Sequence, residues 1–360
     1  MNRPQDFRAF LDREPATGPR PSRIAPPRPL AREAVGREPG SGHRPRLPTL
    51  SCVVPCWNEA RSLVQLLPQL CELLPTLSAA WEIVLVDDGS TDETPQLMAQ
   101  WGRRPGVRAL QLSRNFGKEA ALTAGLQAAA GEVVVMMDAD LQHPPALIRT
   151  MVERWQAGAD VVYAVRASRA GESLLKRLGA RMLYGLINRT DRFRVPADAG
   201  DFRLLDRAAV DALLALPERN RFMSGLYAWI GFDSVALPYV PDPRAHGRSR
   251  FSIGRLIQMT VDALTSFTTW PLRVASAVGV AMALAGFGYG AWLTLAYLLY
   301  GSHVSGWTTI VVSLLLFMGV QLICLGIMGE YVARIFLEVK ARPLYVIKRD
   351  LGQGLAAPDL

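Results

Sequence analysis

Four cysteines and four histidines in 360 residues leave little material for a metal-stapled or disulfide-stapled fold. Cys52, Cys56, Cys71 and Cys324 have neither zinc-ligand nor disulfide-framework spacing, and three fall in or near apolar segments. They read as buried thiols in a reducing compartment. No zinc knuckle, RNA-binding signature or helix-turn-helix pattern accompanies the net charge of +8, so the basic balance points to an anionic membrane or a phosphate-rich substrate and not to nucleic acid. The first residues lack the apolar core of a leader peptide, and this predicts that the part of the chain that carries any chemistry stays in the cytoplasm. Residues 1–48 instead carry ten prolines and ten arginines with scarcely any aliphatic periodicity, which predicts a disordered tail. The last absence is charge itself. No Asp, Glu, Lys or Arg occurs in 274–300 or in 301–329, and this predicts two membrane spans, 274–300 and 304–329.

Against these absences stand three short apolar runs that each stop at polar residues. Thr49 to Val54 ends in Pro55-Cys56-Trp57-Asn58-Glu59. Trp81 to Val86 ends in Asp87-Asp88-Gly89-Ser90-Thr91-Asp92, and Glu132 to Met137 ends in Asp138-Ala139-Asp140-Leu141-Gln142, with Pro144 and Pro145 as the stop. Helical stretches follow: Ala60 to Leu77 has a core stripe of leucines, Ser90 to Glu93 reads as a helix start, and Glu119 to Ala130 is strongly helix-forming. Strands alternating with helices predict a parallel α/β sheet whose ligand site lies at the strands' carboxyl ends. Residues i and i+2 of a strand share a face, so Asp138 and Asp140 are expected to offer oxygens to one hard cation, Mg²⁺ or Mn²⁺ bridging a diphosphate, with Gln142 next in line. Gly117 and Lys118 at a helix amino terminus suit phosphate.

Further on, a helix to about Gln156 and a strand from Asp160 to Val165 lead to Arg166 and Arg169. Residues 172–190 have the pattern of a basic amphipathic helix, against a membrane or against the core. Asp198, Asp201 and Arg203 flank another strand, Leu213 to Ile230 read as mostly helical, and Val235 to Val240 as a last strand. Arg244 to Phe251 form a loop dense in phosphate-binding groups, and 252–273 predict interfacial amphipathic helices with Arg255, Trp270 and Arg273 near the membrane edge. Gly301 to Gly306 contain no Lys or Arg, while Arg334, Lys340, Arg342, Lys348 and Arg349 follow the second span. The positive-inside rule then places both termini in the cytoplasm, the short hairpin loop outside, and 330–360 as a basic cytoplasmic tail.

The segments Val54 to Glu59, Val86 to Asp92, Ser113 to Lys118 and Met137 to Pro145, in this order, resemble family 2 glycosyltransferases of GT-A fold. More narrowly they resemble polyisoprenyl-phosphate glycosyltransferases such as dolichol-phosphate mannose synthase and the undecaprenyl-phosphate glucosyltransferases, over roughly residues 49 to 348. The resemblance implies a GT-A domain over 49–251 and inverting transfer of a sugar, with UDP-glucose the favoured donor, to undecaprenyl phosphate at the cytoplasmic face of a bacterial inner membrane. GDP-mannose, UDP-N-acetylhexosamine and an aminoarabinose donor are the alternatives. It implies that Pro55, Asn58, Glu59, Asp87 and Asp88 hold the nucleoside, that Asp138, Asp140 and Gln142 hold the metal and diphosphate, and that the protein assembles as a homo-oligomer, a tetramer.

Arg166, Arg203, Arg244, Ser249 and Arg250 are candidates for placing two anions side by side. Arg250 stands where the family's loop has lysine, and a planar fork replaces a point charge there. Asp201 has the family position of a base or metal-side group, yet a phosphate acceptor is already largely dianionic at neutral pH, which leaves open a role in orienting an arginine. The Q-x-x-R-W motif of processive polysaccharide synthases is absent. A non-catalytic scaffold would be expected to have lost an acid or the Arg244 loop, and both are intact.

Overall fold

Apolar side chains on both faces of successive strands require a cover on each side, and this chain supplies it with helices. The structure, a computed structural model, describes residues 44, 47–166, 199–219, 221–239, 270–300 and 306–355. Strands β1 (Thr49–Cys56), β2 (Ala80–Asp87), β3 (Val107–Leu112) and β4 (Val133–Met136) run parallel in the order β4-β1-β2-β3. Helix α1 (Ala60–Leu73) puts Leu63, Leu66, Leu67 and Leu70 on one face, together with α2 (Thr94–Trp101) and α4 (Leu147–Gln156). The other face is covered by α3 (Lys118–Ala128), α5 (Arg207–Ala215) and α6 (Met223–Trp229). In β1, Cys52 and Val54 face the first cluster and Val53 the second, the alternation that a pleated strand imposes. Helix α3 lies so close to β1 that a Cβ on Gly125 would stand 2.2 Å from Val53 Cγ1, which only glycine avoids.

The sheet is mostly parallel, as expected, with one insertion that decides the site. Strand β6 (Ala199–Asp206) lies antiparallel between β4 and β5 (Val161–Arg166), and β7 (Ser234–Tyr239) continues parallel beyond β5. Because β6 runs against β4, its first residues sit where β4 ends. The run from Leu213 to Ile230 is not one helix: α5 stops at Ala215, Pro217 follows, and α6 starts at Met223. Arg221 fills the gap, donating Nη2 to the carbonyls of Leu213 (3.3 Å) and Leu216 (2.7 Å).

Two long helices follow, α7 (Trp270–Tyr300) and α8 (Trp307–Val339), both long and apolar enough to cross a membrane. Phe287 and Trp307 are each 77% exposed and Leu298 is 73% exposed, surface that water would not tolerate over such lengths. At 1.5 Å per residue each helix is about 45–50 Å long, more than a hydrocarbon core of about 30 Å requires. The surplus of α8 carries Glu330, Arg334 and Glu338, so the helix runs past the span boundary expected at residue 329.

The expected basic tail is largely structured. Strand β8 (Ile347–Gly352) pairs antiparallel with β3 and forms the eighth strand of the sheet. Arg108 grips Asp350 with Nε at 3.1 Å and Nη2 at 2.8 Å. The fully buried Glu82 accepts bonds from Ser51 Oγ, Ala130 N and, at 2.9 Å, Leu355 N. Gly352 has φ +85, and a Cβ there would meet the carbonyl oxygen of Val107 at 2.3 Å. Toward the opposite side of the sheet domain Arg44 donates to the carbonyls of Trp155 and Ala159, pairs with Asp160 at 2.7 Å, and lies over the Trp155 ring. The segment expected to be disordered is thus tied down at Arg44. Asp160 immediately precedes β5, so this anchor lies at the end of the sheet away from the acids.

Candidate active site

Three backbone facts assemble the site. Strand β4 ends at Met136, earlier than its sequence suggests, and Asp138 and Asp140 lie in the turn beyond it, with Leu141 at φ +62. The shared face of a strand therefore does not explain their pairing. Within the turn, Asp140 Oδ1 accepts the Gln142 N–H at 3.1 Å. Second, the β4 and β6 ladder sets Met136 opposite Arg203, and extending that register by two residues sets Asp138 opposite Asp201. Third, α3 starts at Lys118 after Gly117, whose φ of +101 suits glycine.

Lys118 joins the two acids. Its Nζ lies 2.6 Å from Asp138 Oδ1 and 2.7 Å from Asp201 Oδ2. Burial pulls the ammonium's pKa down, but the charges of Asp138 and Asp201 and its bonds to both outweigh that and hold it above its ordinary value. Lys118 is therefore a cation fixed between the first acid of the turn and the aspartate on β6. The Lys118 side chain at this helix start thus holds two carboxylates.

The residues expected on the nucleoside side form a second cluster, around the ends of β1 and β2. Asn58, at φ +58, accepts the N–H groups of Thr91 (2.8 Å) and Asp92 (3.3 Å) on Oδ1, and its own N–H donates to Ser90 Oγ. Glu59 N donates to Thr94 Oγ1, and Glu59 Oε2 accepts from Ser62 Oγ. Pro55 is buried in β1. Asp87 is wholly buried and accepts the Ser90 N–H at 2.9 Å. Asp88, 3% exposed, accepts the N–H groups of Phe116 (2.7 Å) and Gly117 (2.9 Å), so it ties the end of β2 to the loop that delivers Lys118. Burial raises its pKa against those two N–H groups.

Arg203 differs from its expectation as an anion contact. It is 3% exposed, donates Nε and Nη2 to Gly200 O, and lies 3.7 Å over the Tyr227 ring and 5.7 Å over that of Tyr163. A guanidinium buried against two tyrosine rings braces β6. Arg166 ends β5. Arg169, Asp198, Arg244, Ser249 and Arg250, the amphipathic stretch 172–190 and residues 252–269 lie outside the described residues. Sequence reasoning passed over Glu119, Arg221 and Tyr227 beside Lys118 and Asp201. The one available signal for Glu119 was an acid directly after a predicted phosphate-binding lysine.

Residues 51–214 match the family model "Glycosyl transferase family 2", and 270–335 match "GtrB C-terminal hairpin". An uncharacterised glycosyltransferase of Synechocystis is 42% identical over 299 residues, which cover 83% of this chain and 94% of that protein. The chain belongs to glycosyl transferase family 2. This glycosyltransferase is also 40% identical to the SfII prophage-derived bactoprenol glucosyl transferase of Shigella flexneri, over 84% of this chain and 98% of that one. Among solved structures, glucosyl-3-phosphoglycerate synthase from Mycobacterium tuberculosis, in complex with Mn²⁺, UDP and glucosyl-3-phosphoglycerate, aligns with a TM-score of 0.37 at 21% identity, over 60% of this chain and 76% of that one. The mostly parallel sheet and the two long apolar helices give the glycosyltransferase its architecture, a GT-A domain with a C-terminal hairpin.

Proposed function

We propose that this glycosyltransferase moves glucose from UDP-glucose to undecaprenyl phosphate at a membrane surface, with inversion at the sugar carbon. The observation that carries the reading is the Lys118 bridge between Asp138 and Asp201, a cation held among acids in the same chain as a hairpin of exposed apolar helices. The name of the Shigella relative, whose likeness spans almost its whole length, supports both the sugar and the lipid. A phosphate oxygen of the acceptor forms the bond to the sugar carbon as the bond to the donor diphosphate breaks, and UDP leaves with the electron pair. An acceptor dianion needs no base. The harder task is to bring two anions together, and Lys118 offsets part of the negative charge that Asp138 and Asp201 would otherwise set against them.

Asp138, Asp140 and Gln142 are hard oxygen donors and fit Mg²⁺ or Mn²⁺. No group of three His, Cys, Asp or Glu side chains converges among the described residues, so the protein would supply part of a shell that diphosphate and water complete, the usual arrangement for Mg²⁺. Such an ion would offset the charge gathering on the departing diphosphate. Asn58, Glu59 and Asp88 shape the nucleoside side. Asp201 orients Lys118. Arg166 and the Arg244, Ser249 and Arg250 loop are assigned to the two phosphates, and a homo-oligomer in the bacterial inner membrane is the expected setting.

The test is incubation of purified protein in detergent with undecaprenyl phosphate, Mg²⁺ or Mn²⁺ and a panel of UDP- and GDP-sugars. Transfer from UDP-glucose is expected. Turnover of another donor alone overturns the sugar assignment, and turnover of none overturns the acceptor.

The hairpin orientation belongs to the same proposal. Strand β8 returns the chain to the catalytic sheet after α8, so both ends of the hairpin are assigned to the cytoplasmic side. In intact cells, a membrane-impermeant thiol reagent is expected to label a cysteine placed at Ser302 and not one placed at Gln353. The reverse pattern would overturn the orientation.

A further inference from the structure

Glu119 follows Lys118 in the first turn of α3, and its Oε2 is buried without a hydrogen-bond partner. A carboxylate there would carry charge into a pocket that does not meet it on that side. The charged and titratable groups that bear on it are Lys118 from its own helix, Asp201 from β6, Arg221 from the segment before α6 and the Tyr227 phenol from α6. We propose that Glu119 is a positioning residue, a neutral carboxylic acid whose lack of charge leaves the Lys118 ammonium shared between Asp138 and Asp201. An ionised Glu119 would be a third acid competing for one ammonium, and a second negative charge beside Asp201.

The electrostatics agree with the geometry. Burial first, then the charge of Asp201, push the Glu119 carboxyl from its ordinary 4.5 up to about 8, against the opposing effects of Lys118, the Met223 N–H and Arg221. A folded-state value above the unfolded one means that the native protein holds a proton the unfolded chain has lost. The stability contributed by the neutral form is complete below 4.5 and is lost as pH rises through about 8.

The activity readout rests on the sugar-transfer reading above, and the stability readout does not. Full-length wild type and Glu119→Gln are compared in detergent for transfer to undecaprenyl phosphate and for thermal unfolding, from about pH 6 to about pH 9.5. Wild-type transfer is expected to fall about tenfold from its plateau by about pH 9, and Glu119→Gln to lack that alkaline limb. The melting temperature of Glu119→Gln is expected to gain on wild type as pH rises. Parallel rate and melting profiles in the two proteins would overturn the proposal, and so would a wild-type rate that stays flat to about pH 9.5, a result that needs no variant to fold. If neither protein transfers sugar at any pH, the transfer reading fails, while the melting comparison still decides for or against a neutral Glu119.

Discussion

Asp140→Asn is expected to slow sugar transfer by about 10²- to 10³-fold, the loss typical of removing one preorganised charge-stabilising group. The substitution is chosen because it spares the fold. Asn keeps an oxygen to accept the Gln142 N–H that closes the turn, and only the charge is removed. The companion Asp138→Asn is expected to be as severe for a different reason, since among the described residues it leaves Asp201 as the ionised carboxylate paired with Lys118. Rates measured across Mg²⁺ and Mn²⁺ titrations, beside melting curves for each variant, check both. A parent-like rate in Asp140→Asn at every metal concentration would remove Asp140 from the metal assignment.

The second large effect is on stability. Deletion of 347–360 is expected to lower the apparent melting temperature of the sheet domain by roughly 6–12 °C, on the scale of about 3 kcal/mol in a domain of roughly 200 residues. Three losses combine: the β3 edge opens, the two-bond grip of Arg108 on Asp350 goes, and the buried Glu82 carboxylate loses the Leu355 N–H. A hydrogen bond to a charged group contributes about 1.5–3 kcal/mol, so the Glu82 bond and the strand ladder dominate. Asp350→Ala alone is expected to change stability by less than about 1 kcal/mol, because both partners of that pair are partly solvated. An unaltered melting curve for the deletion would mean that β8 adds nothing to the sheet's stability.

Local signals carried much of this fold. The leucine stripe of α1, the apolar strands that stop at acids and the charge-free helices are visible in the sequence because each is written within one element. What the sequence hid depends on partners far along the chain. Strand β8 looks like a basic tail because all six of its residues are exposed, and only its ladder with a strand some 240 residues earlier makes it a strand. Arg203 resembles an anion contact until β5 and α6 close Tyr163 and Tyr227 around it. The Asp138 and Asp201 pairing required knowing that β6 inserts antiparallel beside β4, an order that the smooth succession of strand and helix does not reveal.

The place of β8 has a consequence for how the protein is made. Its pairing strand β3 leaves the ribosome early, and β8 leaves only after both long helices. Throughout that interval the β3 edge has no neighbour on its outer side, and the Glu82 carboxylate waits for the Leu355 N–H. Completion of the catalytic sheet thus comes after synthesis of the hairpin, and a nascent chain stalled before β8 would present an unpaired strand edge, the kind of surface that chaperones hold and proteases recognise.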